Sequence, residues 1–277
     1  MTTPKLSAFE VSIAFGGVHA VEAVSVSVEP GEVVGLMGPN GAGKTTLMEM
    51  LSGYLTPRSG SVCLDGEDIT RLSVHERARR GIARGFQDAR MFPSMTVEEV
   101  LGVSLDRHVA DRVDLAGMLF GLPSSRRAER WVRTRVDELT DRFGLAGYRD
   151  APIAELSTGT RRVVEIAAVM GSEPSVVLLD EPSAGIAQAE TDALRRILRG
   201  IQRDTAVTVV LVEHDVPMLM DLSHRIYVMD AGRMLAEGTP AEIARDPDVL
   251  EAYFGVRPPE ISAARAGDAG PAPHDRE

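Results

Sequence analysis

Residues 38–45 read Gly38-Pro39-Asn40-Gly41-Ala42-Gly43-Lys44-Thr45, an unbroken match to the pattern G-x-x-x-x-G-K-[ST]. The preceding run, Glu32 to Met37, predicts a buried parallel strand, and a helix is predicted from Lys44 to Leu51. Glycines let the backbone wrap closely, so that successive N–H groups can point at phosphate oxygens. The start of the helix adds partial positive charge at the same place. The segment therefore predicts a phosphate-binding loop rather than a glycine-rich turn that happens to contain lysine.

The loop also assigns roles to individual side chains. Lys44 is expected to pair with the β- and γ-phosphates of ATP, and the Thr45 hydroxyl is expected to coordinate Mg²⁺. The predicted nucleotide-binding residues of this segment are Gly38, Pro39, Asn40, Gly41, Ala42, Gly43, Lys44, Thr45 and Thr46.

Two later strands end in residues that suit hydrolysis. The apolar strand Val176 to Asp180 delivers Asp180 and Glu181 to the edge where ligands bind in α/β sheets. Asp180 is expected to hold Mg²⁺, and Glu181 to orient or deprotonate the attacking water. His214 follows the strand Thr208 to Val212 and could contact phosphate or that water. Taken alone, an exposed strand end and a structural histidine remain alternatives for these residues.

The organisation of the sequence indicates an α/β fold. Val24, Val26 and Val28 alternate with polar residues, as in a half-exposed strand. Strands that alternate with helices imply a parallel sheet, whereas residues 88–156 lack strand-like runs and predict an inserted helical subdomain. We therefore expect one domain over residues 1–256. Its core spans 1–87 and 157–256, and a disordered tail follows at 257–277.

Composition excludes some classes of protein. The sequence has 41 acidic and 30 basic residues, a net charge of −11 that would repel nucleic acid. Its arginine clusters, such as Arg77, Arg79, Arg80 and Arg84, are expected to be solvated helix faces. Cys63 is the only cysteine, which is typical of a reducing compartment. No run approaches the roughly 18 apolar residues that a membrane span needs.

The motifs together resemble those of the ATPase subunits of ABC transporters over residues 5 to 256. Gln87 matches the family's glutamine loop, which reads out Mg²⁺ and the γ-phosphate. The segment 156–160, Leu156-Ser157-Thr158-Gly159-Thr160, matches the signature. His214 matches the switch histidine, and Phe15 matches the ring that stacks on adenine. The resemblance implies a P-loop NTPase parallel-sheet core with an antiparallel β subdomain and an inserted helical subdomain.

The resemblance also implies partners. Ser157 and the Gly159 N–H would form an anion site, at a helix running from about Arg161 to Met170, that faces ATP on a second ATPase subunit. Two such subunits, alike or different, would drive transmembrane permease subunits from the cytoplasmic face of the membrane. Segments such as Phe15-Gly16-Gly17 and Gly81-Ile82-Ala83-Arg84 resemble the branched-chain amino-acid importers, which implies a solute-binding protein as well.

Two departures from the family pattern bear on activity. The usual signature is Leu-Ser-Gly-Gly-Gln, and Thr158 and Thr160 replace two of its residues. Threonine brings a β-carbon near the phosphate and resists positive φ, so the close approach of this segment to phosphate is in question. Ala187 stands where the family commonly has an aspartate that couples the two sites.

Two further functions stay open at this point. A soluble ABC ATPase could act outside transport, although the tandem units or long coiled coil typical of such proteins are absent from the sequence. A regulatory subunit could bind ATP without hydrolysing it, with Thr158 and Ala187 as its support.

Overall fold

A computed structural model of the protein describes residues 3–85, 92–106, 108 and 123–254. Its larger sheet has six strands in the order β10-β9-β3-β8-β7-β6. These strands are β3 (Val33–Met37), β6 (Ile82–Gly85), β7 (Val176–Asp180), β8 (Thr208–Val212), β9 (Arg225–Asp230) and β10 (Arg233–Gly238). All pairs of neighbours in this sheet are parallel except the β9–β10 hairpin. The carboxyl ends of β3, β7 and β8 therefore meet at one edge.

A second sheet of four strands packs on the same core. Its order is β2-β1-β4-β5, and every pair in it is antiparallel. The strands are β1 (Leu6–Phe15), β2 (Val18–Val28), β4 (Ser59–Leu64) and β5 (Glu67–Asp68). Val24, Val26 and Val28 are buried, as the alternation of the sequence predicts.

Nine α-helices accompany the sheets in the described part of the protein. They are α1 (Lys44–Ser52), α2 (Val74–Arg79), α3 (Val97–Ser104), α4 (Pro123–Arg142), α5 (Thr158–Gly171), α6 (Gln188–Asp204), α7 (Val216–Leu222), α8 (Pro240–Ile243) and α9 (Pro247–Phe254). Short 3₁₀ turns lie at Ala146–Tyr148 and Ile153–Glu155. Because parallel strands need crossover connections, these helices cover both faces of the larger sheet.

The parallel sheet separates two apolar clusters. Val34 and Leu36 of β3 pack with α1 and the antiparallel sheet, whereas Val33 and Met37 pack with the helices of the opposite face. Residues of a strand alternate between faces, and burial on both faces explains why β3, β7 and β8 read as continuous apolar runs. The nucleotide motifs follow these three strands directly.

In the sequence, Arg225 to Met229 and Met234 to Glu237 flank Ala231-Gly232, which predicts a hairpin turn, and the structure has that turn. Ala231 and Gly232 have φ values of 44° and 79°, which is the left-handed geometry of a tight two-residue hairpin. Thr239 then caps α8, and a capping box with Glu242 and a proline at the first turn are present.

The helical region departs from expectation at one boundary. The sequence predicts a helix around Glu129 to Phe143. The structure begins this helix at Pro123 instead, because proline is favoured in the first turn, where its missing N–H costs nothing. Helices α3, α4 and α5 pack on one another. The subdomain limits at 88 and 156 stay a prediction, and the tail at 257–277 lies outside the described residues.

Candidate nucleotide site

The phosphate loop lies between β3 and α1, where the sequence places it. Gly41 and Gly43 have φ values of 81° and 98°, in the region that side chains disfavour. A Cβ on Gly43 would lie 2.3 Å from the Ala20 carbonyl oxygen on β2. Only glycine therefore lets the loop turn against this strand and start the helix at Lys44.

Lys44 turns back onto its own loop. Its Nζ donates to the carbonyl oxygens of Gly38 at 2.7 Å and Pro39 at 3.0 Å, and the residue is only 6% exposed. Burial lowers the pKa of Lys44, and the carboxylates of Glu181 and Asp180 oppose that shift. The ammonium group is thus held beside the acidic pair, at the place where a phosphate needs a countercharge.

Thr45 and Thr46 occupy the first turn of α1, where Thr45 is exposed and Thr46 is partly buried. The N–H groups of a first helical turn have no partner within the helix. This turn therefore presents such donors together with a hydroxyl group to solvent.

The two carboxylate oxygens of Asp180 differ in their contacts. Its Oδ2 accepts a hydrogen bond from Arg84 Nη2 at 2.8 Å, whereas Oδ1 is buried and has no hydrogen-bond partner among the described residues. A buried carboxylate oxygen without a partner is costly and is the kind of hard oxygen that Mg²⁺ prefers, directly or through water. Asp180 therefore fits a magnesium site that Thr45 would complete.

Glu181 and His214 form a pair at the ends of neighbouring strands. The His214 Nε2 lies 2.8 Å from Glu181 Oε1, and the Glu181 N–H donates to the Val212 carbonyl oxygen at 2.9 Å. Glu181 has a φ of 50°. Non-glycine residues in this region cluster at functional sites, where surrounding structure holds the strain. The structure thus brings Glu181, which the sequence assigned to water activation, together with His214, which it placed beside phosphate or that water.

Glu213 supports this pair, and the sequence reasoning missed it. The residue is 3% exposed. Its carboxylate accepts hydrogen bonds from the Ser183 N–H and hydroxyl, both at 2.7 Å, and from the His214 N–H at 3.0 Å. It ties the loop after Glu181 to the start of the histidine loop. The signal was present in the run Val-Glu-His-Asp, where an acid directly follows a buried strand.

The signature forms the start of α5. Ser157 is the N-cap, and its Oγ accepts a hydrogen bond from the Thr160 N–H at 3.1 Å. The helix begins at Thr158, three residues before the predicted start at Arg161. Thr158 and Thr160 are helical, and neither has a positive φ. The objection based on positive φ therefore does not apply, because Thr158 needs no left-handed backbone here. The effect of its β-carbon on the approach to phosphate stays a prediction.

A carboxylate already occupies the predicted anion site. Ser157 Oγ donates to Glu190 Oε1 at 2.8 Å, and a Cβ on Gly159 would lie 2.5 Å from Glu190 Cδ. Glycine at position 159 is what allows the acid to lie over the helix start. Among the described residues, the hydrogen bonds of Ser157 join α5 and α6 and none reaches the phosphate loop.

Phe15 and Gln87 complete the set of predicted site residues. Phe15 ends β1 and is 50% exposed, with its ring available to a stacking partner beside the hairpin to β2, the strand that passes Gly43. Gln87 lies outside the described residues. Their roles toward adenine, Mg²⁺ and the γ-phosphate stay predictions.

The arginine cluster is only partly a solvated helix face. Arg79 and Arg80 are exposed, but Arg77 is 1% exposed and donates to four backbone carbonyl oxygens, including those of Met50 and Leu51 at the end of α1. Arg84 lies on β6 and pairs with Asp180. The prediction was wrong for these two because a charge run does not reveal which of its members turn inward.

The fold and the loop define the class of this protein. A phosphate loop between a buried strand and a helix, followed by acids at the ends of parallel strands, is the arrangement of P-loop nucleotide-hydrolysing proteins. A family model described as "ABC transporter" matches residues 21–184. A second, described as "Branched-chain amino acid ATP-binding cassette transporter", matches residues 233–258.

Relatives of this class match almost the whole sequence. The high-affinity branched-chain amino acid transport ATP-binding protein BraF of Pseudomonas aeruginosa is 40% identical over 255 residues, 92% of this chain and 99% of BraF. LivG of Escherichia coli K12, with the same description, is 38% identical with the same coverage. A crystal structure of the ADP conformation of an ATP-binding cassette matches with a TM-score of 0.75 and 27% identity, covering 92% of this chain and 100% of that one.

The chain belongs to the ABC transporter family of ATP-binding subunits, and its activity is that of an ATP-hydrolysing transport ATPase. Within the described residues, every helix is too short or too polar to cross a bilayer.

Proposed function

We propose that this protein energises an importer of branched-chain amino acids or related small polar solutes. The observation that carries the proposal is the match of residues 233–258 to the family model of branched-chain amino acid transporters, together with the 40% identity to BraF over nearly the full length of both proteins. In this proposal, the choice of solute lies in other subunits.

The geometry supports a division of labour in ATP hydrolysis. Lys44 would leave the carbonyls of its loop to hold the β- and γ-phosphates. Thr45 and Asp180 would hold Mg²⁺, which when bound would neutralise charge on the phosphate oxygens. Glu181 would accept a proton from the attacking water at a carboxylate oxygen, as the new P–O bond forms and the bond to ADP breaks. His214, 2.8 Å from Glu181 Oε1, would fix the direction of that carboxylate.

A complete site would need a second subunit. Ser157 and the start of α5 carry the helix-end charge that suits phosphate, yet they bond to α6 rather than to the phosphate loop of the same protomer. ATP would favour a closed pair because it touches a phosphate loop and an opposed signature only in that pair. In our proposal the pair works with permease subunits at the cytoplasmic face of the membrane, and a solute-binding protein delivers the cargo.

Glu181→Gln tests the catalytic part. The amide keeps the shape of the side chain but cannot take a proton, so we expect ATP turnover to fall at least about a hundredfold while Mg·ATP binding persists. Phosphate release measures turnover, and size-exclusion chromatography with light scattering measures the trapped dimer. Glu67→Gln, an exposed acid on β5, is the control and should match the parent. Turnover at the parental rate in Glu181→Gln would reject the assignment.

The transport part needs its own experiment. We expect the protein to co-purify with polytopic membrane subunits and, after reconstitution in vesicles with the solute-binding protein, to support ATP-dependent uptake of labelled leucine. Active ATP hydrolysis without any membrane partner would favour a soluble ABC ATPase outside transport. Tight ATP binding without turnover would favour a regulatory subunit.

A further inference from the structure

The helix α9 reaches back to the phosphate loop. Tyr253 lies near the end of this helix, and its hydroxyl oxygen accepts a hydrogen bond from the Gly38 N–H at 2.7 Å. The two residues are 215 positions apart in the sequence. Tyr253 is half-buried, and burial raises the pKa of its phenol, so the hydroxyl stays protonated at neutral pH. This contact joins the nucleotide loop to the segment 233–258, which matches the family model of branched-chain amino acid transporters.

Gly38 is a sensitive point in the loop. It is the first residue after β3 and is buried, and a Cβ on it would lie 2.3 Å from the Met229 carbonyl oxygen. Its carbonyl oxygen accepts a hydrogen bond from Lys44 Nζ at 2.7 Å. The N–H and the C=O of Gly38 are therefore each held by one side chain.

The two contacts have different fates when phosphate arrives. Lys44 must release the Gly38 carbonyl in order to reach the phosphates, so that restraint is lost. The Tyr253 hydroxyl lies on a different element and does not take part in that exchange. The hydrogen bond between the Gly38 N–H and the Tyr253 hydroxyl can therefore hold the start of the loop both with and without bound nucleotide.

We propose that Tyr253 is a positioning residue that holds the phosphate loop in its nucleotide-binding form through the Gly38 N–H. The inference rests on the proposed role of the phosphate loop and adds to it a contribution from α9. Without the hydroxyl, the free loop can turn the Gly38 N–H toward water. Nucleotide binding then has to restore the nucleotide-binding form of the loop with the Gly38 N–H buried and unpaired. This costs free energy, so the affinity for nucleotide falls.

Tyr253→Phe in the full-length protein tests this proposal. The ring and its packing remain, and only the hydroxyl is removed. We expect the Kd for Mg·ATP, measured by calorimetry in the Glu181→Gln background, to rise about tenfold, which corresponds to about 1.4 kcal/mol. In the catalytically intact protein, KM should rise by a similar factor while kcat changes little.

Tyr227→Phe is the matched control. Tyr227 is a buried tyrosine whose hydroxyl bonds to the backbone of Ser27, on the antiparallel sheet. Its loss should leave the Kd for Mg·ATP unchanged. Amide hydrogen exchange supplies a readout besides activity: without nucleotide, a peptide covering residues 33–44 should exchange faster in Tyr253→Phe than in Tyr227→Phe.

The outcomes separate this inference from the proposed function. An unchanged Kd and unchanged exchange in Tyr253→Phe, with a melting temperature lowered as in Tyr227→Phe, would make Tyr253 a packing residue and overturn the proposal. A parent protein that binds no Mg·ATP at all would instead overturn the function on which it rests.

Discussion

The acid that covers the signature gives a prediction with an unusual sign. Glu190→Gln removes one negative charge from the start of α5 and keeps the size of the side chain. If Ser157 and Gly159 receive the γ-phosphate of an opposed subunit, Glu190 has to leave first, because it bonds to Ser157 and lies over Gly159. The variant should therefore form the ATP-driven dimer more tightly than the parent.

The magnitude follows from what the phosphate must displace. A carboxylate at a helix start contributes about 0.3–1 kcal/mol, and a hydrogen bond to a charged group contributes about 1.5–3 kcal/mol when buried. Ser157 is exposed and Glu190 is only partly buried, so the hydrogen bond is worth less here. A total of about 1–2 kcal/mol corresponds to about five- to thirtyfold at each site, and because the closed pair holds two such sites, to dimerisation about 30- to 900-fold tighter.

The assay compares dimerisation constants in the Glu181→Gln background, where ATP is not consumed. Sedimentation velocity over a range of protein concentrations, with saturating Mg·ATP, gives the constant for each variant. Glu242→Gln is the matched control, since Glu242 also accepts a hydrogen bond of 2.8 Å from a capping hydroxyl, that of Thr239. That pair lies at α8, away from the signature, and its loss should not change dimerisation.

Weaker dimerisation in Glu190→Gln would refute the reasoning. It would mean that the carboxylate orients Ser157 for the partner's nucleotide instead of blocking the site. Equal dimerisation constants would refute it as well, because displacement of a charged group cannot be free of cost.

Two arginines give predictions about stability. Arg77→Met leaves carbonyl oxygens at the end of α1 without their donor, so we expect the free energy of unfolding in urea to fall by about 2–4 kcal/mol. The control, Arg79→Met at an exposed position, should change it by less than about 0.5 kcal/mol. Equal losses in the two variants would contradict the role of Arg77 as a cap for the end of α1. Arg84→Gln leaves buried Asp180 without its countercharge and should cost about 3 kcal/mol. Added Mg·ATP should recover part of this loss in thermal denaturation, because a divalent cation near Asp180 Oδ1 replaces the missing charge. If Mg·ATP stabilises Arg84→Gln no more than it stabilises the parent, the result would contradict the Arg84–Asp180 pairing.

Patterns among neighbouring residues predicted most of the strands and loops that carry the site. The phosphate loop, the strand ending at Asp180 and the hairpin at Ala231-Gly232 each depend on residues that are neighbours in sequence. Turns that need a positive φ are marked by glycine, and strands that are buried on both faces are marked by continuous apolar runs, so both can be recognised in a short stretch of sequence. The predicted bounds of these elements accordingly agree with the structure to within one or two residues.

The supports of the site could not be predicted in this way. Arg84 and Asp180 are 96 positions apart, and Tyr253 and Gly38 are 215 apart. Nothing in one segment indicates its partner in the other, since pairing depends on which strands become neighbours in the sheet. Arg77 shows the same limit, because its burial follows from the packing of α2 against the end of α1 and not from the charges around it.

Glu190 contacts both the signature, at Ser157, and Ala187, which stands in place of the family's aspartate. Ala187 is the N-cap of α6 and has no side-chain oxygen to offer the helix start, unlike the aspartate common in the family. Glu190 partly fills this gap, since its Oε2 accepts a long hydrogen bond of 3.4 Å from the Ala187 N–H while Oε1 holds Ser157. One carboxylate therefore ties the loop after Glu181 to the signature helix. We expect a phosphate that draws Glu190 away from Ser157 to loosen the Ala187 contact as well, which would link the signature to the catalytic loop without the aspartate.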